Sequence, residues 1–156
     1  MPTEQNKTIV RRFFAELWNE RRLELADELF APDCVTHQLR SGEADAPAPR
    51  TPDLLKQHVA EWLAALPDLR FDIEQMLAEG DEVATRCTMR GTHTGPLLGV
   101  APTGRQLEVR LFTIHRVAAG RIVEDWVLVE AQGLFEQLGL VPPREQLLAR
   151  AGRAEA

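Results

Sequence analysis

Long hydrophobic runs are missing from this chain: none of its 156 residues begins an apolar stretch approaching the roughly 20 residues that span a bilayer. The opening stretch MPTEQNKTIVRRFF holds no uninterrupted apolar segment of the secretory kind, so a cytoplasmic location and no membrane partner are expected. A surplus of positive charge is also missing. The formal net charge is −6, which leaves no basic face to neutralise a phosphate backbone, so nucleic acid is not an expected partner. Cysteine is scarce, with Cys34 and Cys87 the only two, far apart and outside any C-x-x-C pattern. That excludes a disulfide scaffold and predicts two reduced thiols. The four histidines, His37, His58, His93 and His115, show no H-x-x-x-H spacing, so neither a metal site nor a cofactor is expected.

What remains is an ordinary globular composition, 44% hydrophobic and 27% charged, at a length that suits one domain with a true core. The domain is expected over residues 1–148, with 149–156 a polar, disordered tail. Residues 1–66 read as helical. In NKTIVRRFFAELWNE, Ile9, Phe13 and Leu17 recur every fourth position with Val10, Phe14 and Trp18 beside them, which makes a wide apolar face. RLELADELFAP gives a short second helix that stops before Pro32. A third starts at Thr51-Pro52, an N-cap followed by a proline suited to the first helical turn. It buries Leu55, Val59, Trp62, Leu63 and Leu66, leaving His58 on the solvent side. Between the last two, QLRSGEADAPAPR has turn-forming composition and no period, which predicts a mobile loop over 38–50.

From residue 69 the period changes to two. DLRFDIEQMLAEG, EVATRCTMRGT, QLEVRLFTIHRV and RIVEDWVLVEA alternate as strands, and the short connections between them predict antiparallel neighbours. GLFEQLGL closes the pattern as a short helix. Helices followed by a strand meander define an α+β domain with the helices on one sheet face. Phe112, Ile114, Trp126 and Leu128 then form a second apolar face, which predicts a homodimer through the sheet.

Three stretches carry a family likeness: VRRFFAELWNERRLELADELFAPDCVTH, LPDLRFDIEQMLAEGDEVATRCTMRGTHTGPLLGVAPTGR, and FTIHRVAAGRIVEDW followed by GLFEQLG. Taken in order they resemble the SnoaL-like polyketide cyclase family of the NTF2-like superfamily. The resemblance implies a cone: a strongly curved antiparallel sheet wrapped by three N-terminal helices around an apolar pocket for a hydrophobic small molecule. It also implies where a cyclase would keep its polar groups. The acid/base aspartate of such cyclases falls at Val127, a histidine at Thr113, a glutamine at Leu111 and an asparagine at Thr36. All four positions depart from that pattern.

With Val127 on the pocket face, alternation places Asp125 there too and sends Glu124 to the far face with Ile122, Trp126 and Leu128. On the preceding strand Leu111, Thr113 and His115 share the pocket side. A reversal centred on Gly120 sets residues 115 and 125 opposite one another, within reach for an acid/base pair. Asp125 and His115 are therefore the candidate catalytic groups, predicted to be hydrogen bonded. Thr113, Thr36 and His37 are candidate donors to a developing enolate oxygen. Phe14, Trp18 and Trp62 are candidate pocket walls. Arg86 beside Asp125 would permit epoxide opening. The competing functions are a cofactor-free cyclase, isomerase or lyase acting on a polyketide- or terpenoid-like substrate, and a ligand-binding protein without catalysis.

Overall fold

The computed structural model describes residues 2–40 and 42–154. Helix α1 (Pro2–Arg12) runs without a break into a π-helical stretch, Phe13–Asn19. The wider turn brings Phe13, Phe14, Leu17 and Trp18 onto one buried surface, which accounts for the doubled apolar stripe in the sequence. A single 3₁₀ turn at Leu23–Leu25 leads into α2 (Ala26–Leu29). Helix α3 (Pro52–Ala65) starts as predicted: the Thr51 side chain accepts from the Leu54 N–H at 3.3 Å and Pro52 takes the first turn.

The strands are β1 (Phe30–Gln38), β2 (Ala48–Pro49), β3 (Arg70–Glu79), β4 (Glu82–Thr92), β5 (Gln106–Ala118) and β6 (Arg121–Val129). They form one six-stranded sheet in the order β2-β1-β6-β5-β4-β3. The β5–β6 reversal turns on Ala119 and Gly120, both at positive φ, the backbone that a two-residue hairpin turn with the sheet's twist requires. Helix α4 (Ala131–Gln137) follows β6, and Leu134 and Leu138 are buried where it meets β5.

Three expectations are corrected. Residues 30–38, read as the end of the second helix and the approach to a loop, form β1, which pairs parallel with β6, so the sheet is mixed rather than wholly antiparallel. Its apolar residues are interrupted by Pro32 and Asp33, and its partner is distant in sequence, so no local period announces it. Residues 149–154 of the expected tail lie in a final helix, α5 (Arg144–Ala154), exposed over the side chains described; residues 155 and 156 fall outside the described residues. Ile122 is fully buried rather than on the outer face, because the register shifts where Arg116 and Val117 of β5 meet Glu124 and Ile122, leaving Val123 of β6 as the extra residue ahead of Glu124.

The helices cover the concave face of the sheet. Close approach is set partly by Gly95, whose N–H and that of Thr94 both donate to the Ala65 carbonyl at 3.0 Å. A Cβ there would sit 2.1 Å from the Ala64 carbonyl oxygen, so no larger residue fits. The other sheet face carries Phe112, Ile114, Leu128 and Leu77, all exposed, around a half-buried Trp126. Neither α4 nor the described part of α5 covers these side chains.

Candidate active site

Helices and sheet enclose a cavity of about 110 Å³ with mostly apolar walls. The π-helical stretch contributes Phe13, Phe14 and Trp18, and α3 contributes Leu55, His58 and Trp62. The sheet supplies Leu111, Thr113 and His115 from β5 with Asp125, Val127 and Val129 from β6. Phe71 of β3 and Met89 of β4 also line it, and Gln38 at the end of β1 and Arg50 just after β2 complete the lining; the loop expected over 38–50 is thus shorter, since both of its ends belong to the sheet.

The hairpin register is the one the reversal at Gly120 implies: His115 faces Asp125, Thr113 faces Val127 and Leu111 faces Val129. His115 and Asp125 are both buried, at 1% and 4% exposure. They are neighbours without being hydrogen bonded, which corrects the predicted contact. Asp125 takes its bond from β1 instead, because the parallel register sets Thr36 beside it. The Thr36 hydroxyl donates to Asp125 Oδ1 and accepts from Gln38 Nε2 at 2.8 Å. Arg50 Nη2 reaches the same hydroxyl at 3.4 Å.

His115 is packed edge-on against Phe13 and Phe14, with ring centroids 5.4 and 5.9 Å away. Burial lowers its pKa, the Arg50 charge acts in the same direction, and Asp125 opposes both only in part. The ring is therefore neutral, and its Nδ1 has no partner among the described residues. His58 is corrected from solvent to pocket. It sits edge-on to Trp18 and Trp62, and burial together with Arg50 pushes its pKa down to about 4. Burial first, and then the Asp125 charge, push the Cys34 thiol up to about 12, so it stays protonated and unreactive.

Two predicted site residues point elsewhere. His37 lies on the outer face, stacked on Trp126 at 4.9 Å, with Nδ1 2.6 Å from Asp45 and Nε2 2.9 Å from Glu124. Burial alone would lower its pKa, but the two carboxylates outweigh that and raise it. Glu124 is held below the usual carboxylate range by Arg116, which donates two bonds at 2.8 and 3.0 Å, and then by His37. Arg86 is also on the outer face, paired with Glu74, so an Arg86–Asp125 constellation does not exist and epoxide opening through it is removed. Successive β1 side chains alternate, and it is Thr36 and Gln38 that face inward.

Arg50, Gln38 and His58 were not read as site residues from the sequence. His58 carried a usable signal, since Leu55, His58 and Trp62 share one helical face at spacings of three and four. Arg50 carried none, being a lone arginine in an aperiodic loop. Among the described residues, no three His, Cys, Asp or Glu side chains converge as a metal site would need.

A mixed, curved sheet closed by N-terminal helices over an apolar pocket, with Asp125 the one buried acid among the described residues, defines a protein of NTF2-like fold with a pocket of small-molecule size. The sequence profile of the SnoaL-like polyketide cyclase family matches residues 8–138, and the chain belongs to that family. Among solved structures it is similar to AclR, a proposed hydroxylase from Streptomyces galilaeus, at 29% identity and a TM-score of 0.82, over 98% of this chain and 94% of that one. It is also similar to IdmH, a proposed polyketide cyclase from Streptomyces antibioticus, at 36% identity and a TM-score of 0.73, over 86% and 99% of the two chains. A SnoaL-like protein from Jannaschia sp. CCS1, at 22% identity and a TM-score of 0.78 over 90% and 95%, shares the fold. No curated protein matches the chain significantly.

Proposed function

We propose that this protein is a cofactor-free acid/base enzyme of cyclase, isomerase or lyase type, acting on an apolar, polyketide-like ketone. One observation carries the reading: a buried carboxylate, Asp125, is oriented through Oδ1 by Thr36, while no hydrogen bond from a described residue reaches Oδ2. A carboxylate fixed at one oxygen and free at the other, inside an apolar cavity, suits abstraction of a proton next to a carbonyl. Asp125, once protonated, holds the proton for return to product, and neutral His115 beside it adds no competing charge. The family supports the class of ligand, and the proposed polyketide cyclase role of IdmH supports chemistry on polyketides. The two apolar sheet faces support a homodimer that buries Phe112, Ile114 and Leu128.

A direct test is exchange of the α-protons of 2-tetralone in D₂O, followed by NMR. The wild-type protein is expected to accelerate exchange, and Asp125→Asn to lower that acceleration by roughly 100-fold or more, the range of general base catalysis. Val127, where related cyclases carry their acid, favours a second reading, a binding protein without catalysis. Exchange no faster than in buffer, with 2-tetralone still raising the melting temperature of both wild type and Asp125→Asn, would establish that reading instead.

A further inference from the structure

The cavity lining contains one arginine and no lysine among the described residues, and that arginine, Arg50, is only 8% exposed. Its position is fixed by the backbone: the Arg50 N–H donates to the Cys34 carbonyl at 2.7 Å, at the point where β2 hands over to α3. Its guanidinium makes one long contact, to Thr36 at 3.4 Å. Nε is buried with no partner, and no carboxylate of a described residue comes within 4.0 Å of the group.

This is a costly arrangement to keep for structure alone. A buried guanidinium is normally matched by a carboxylate, often through two parallel bonds. Asp125 is close enough to share the Thr36 hydroxyl with Arg50, yet the two charges do not collapse into an ion pair. Thr36 stands between them and holds both against the same cavity. Donors left unmatched in a mostly apolar pocket call for an acceptor from the ligand.

We propose that Arg50 is the oxyanion-binding group of this pocket, so that the ligand is an enolisable ketone or 1,3-dicarbonyl whose carbonyl oxygen lies at the guanidinium. The inference deepens the acid/base reading and rests on it for the reaction step. The C–H proton passes to Asp125 Oδ2, the C–H electron pair becomes the new C=C bond, and the carbonyl π pair moves onto oxygen. Asp125 is then neutral and the negative charge sits on the ligand, next to the guanidinium. The pocket thus starts and ends the step with one cation and one anion, moved onto adjacent groups. Preorganised donors at the site of developing charge are the strongest stabilisers an enzyme offers. His58 and His115 are neutral and supply no competing cation, and Cys34 supplies no anion.

The test needs no turnover. 4-Nitrophenol is a one-ring probe whose phenolate alone is yellow, so its ionisation when bound reports the sign of the field at the oxygen. The titratable groups that line the cavity are Arg50, Asp125, His58 and His115. Bound to the wild-type protein, the phenol is expected to ionise at least tenfold more readily than in buffer. Arg50→Gln should abolish the gain, Arg50→Lys should keep part of it, and Asp125→Asn should enlarge it.

Bound phenol that ionises less readily than free phenol would overturn the proposal, as would an Arg50→Gln protein that matches wild type. No spectral change at millimolar protein would also overturn it. Should Arg50→Gln fail to fold by circular dichroism, the wild-type sign and Arg50→Lys decide the question. Enhanced ionisation without Asp125-dependent exchange of 2-tetralone would uphold Arg50 as the oxyanion group and remove only the base.

Discussion

Thr36→Val removes a single hydroxyl at near-constant shape, and the structure makes that hydroxyl the hub of the site. It donates to Asp125, accepts from Gln38 at 2.8 Å and is reached by Arg50 at 3.4 Å. A hydrogen bond to a charged group contributes about 1.5–3 kcal/mol and a neutral one about 0.5–1.5 kcal/mol. The Arg50 contact is too long to add much. Because Asp125 is buried, water does not replace the lost donor, so the full cost of an under-solvated carboxylate applies. The expected loss is about 2–4 kcal/mol, which for a domain of this size lowers the melting temperature by roughly 5–15 °C. Urea denaturation of wild type, Thr36→Val and Thr36→Ser at one protein concentration measures it. Thr36→Ser keeps the hydroxyl and gives up one methyl, so it should lose about 1 kcal/mol. A Thr36→Val loss below about 1 kcal/mol, or equal losses in the two variants, would refute the hub.

The outer-face cluster gives a pH signature. His37 has a raised pKa, so its charged form contributes stability that is complete below the ordinary histidine value of about 6.5 and disappears as pH rises through the raised one. The melting-temperature gap between wild type and His37→Gln should therefore be widest near pH 6 and close towards pH 9; a constant gap would count against a charged His37. Phe112→Glu places a charge in the middle of the exposed apolar sheet face. Sedimentation equilibrium is expected to show a dimer for wild type and a monomer for the variant, and a monomeric wild type would remove the proposed interface.

The hairpin at the centre of the site was legible because both of its determinants are local. A two-residue reversal at Ala119-Gly120 fixes the register, and a period of two fixes the faces, so the pairing of His115 with Asp125 follows from a dozen residues. The bulge ahead of Glu124 broke that logic only for Ile122. Strand β1 was not legible: FAPDCVTHQ lacks alternation, and its partner β6 lies at the other end of the chain. The error at β1 had a specific consequence. Taken as a residue at the start of a loop beside the pocket mouth, His37 reads as a pocket residue, whereas the parallel register turns Thr36 and Gln38 inward and His37 out to Trp126.

That register also bears on the position of the acid. Val127 lies across from Thr113 on β5 and beside Gln38 on β1, while Asp125 lies across from His115 and beside Thr36. An acid at 127 would face different neighbours from one at 125, since the Thr36 hydroxyl belongs to the 125 level of the sheet. In the proposed site a carboxylate at 125 rather than 127 thus stands at the level where a buried hydroxyl orients it and where Arg50 reaches the same hydroxyl. Arg50 reaches that level only because β2 pairs with β1 at Val35 and Thr36, which draws the end of the 38–50 loop over the pocket. The acid and its hydroxyl are therefore tied by the parallel β1–β6 pairing and the cation by the antiparallel β1–β2 pairing, and the proposed role of an acid at 125 rather than 127 depends on both.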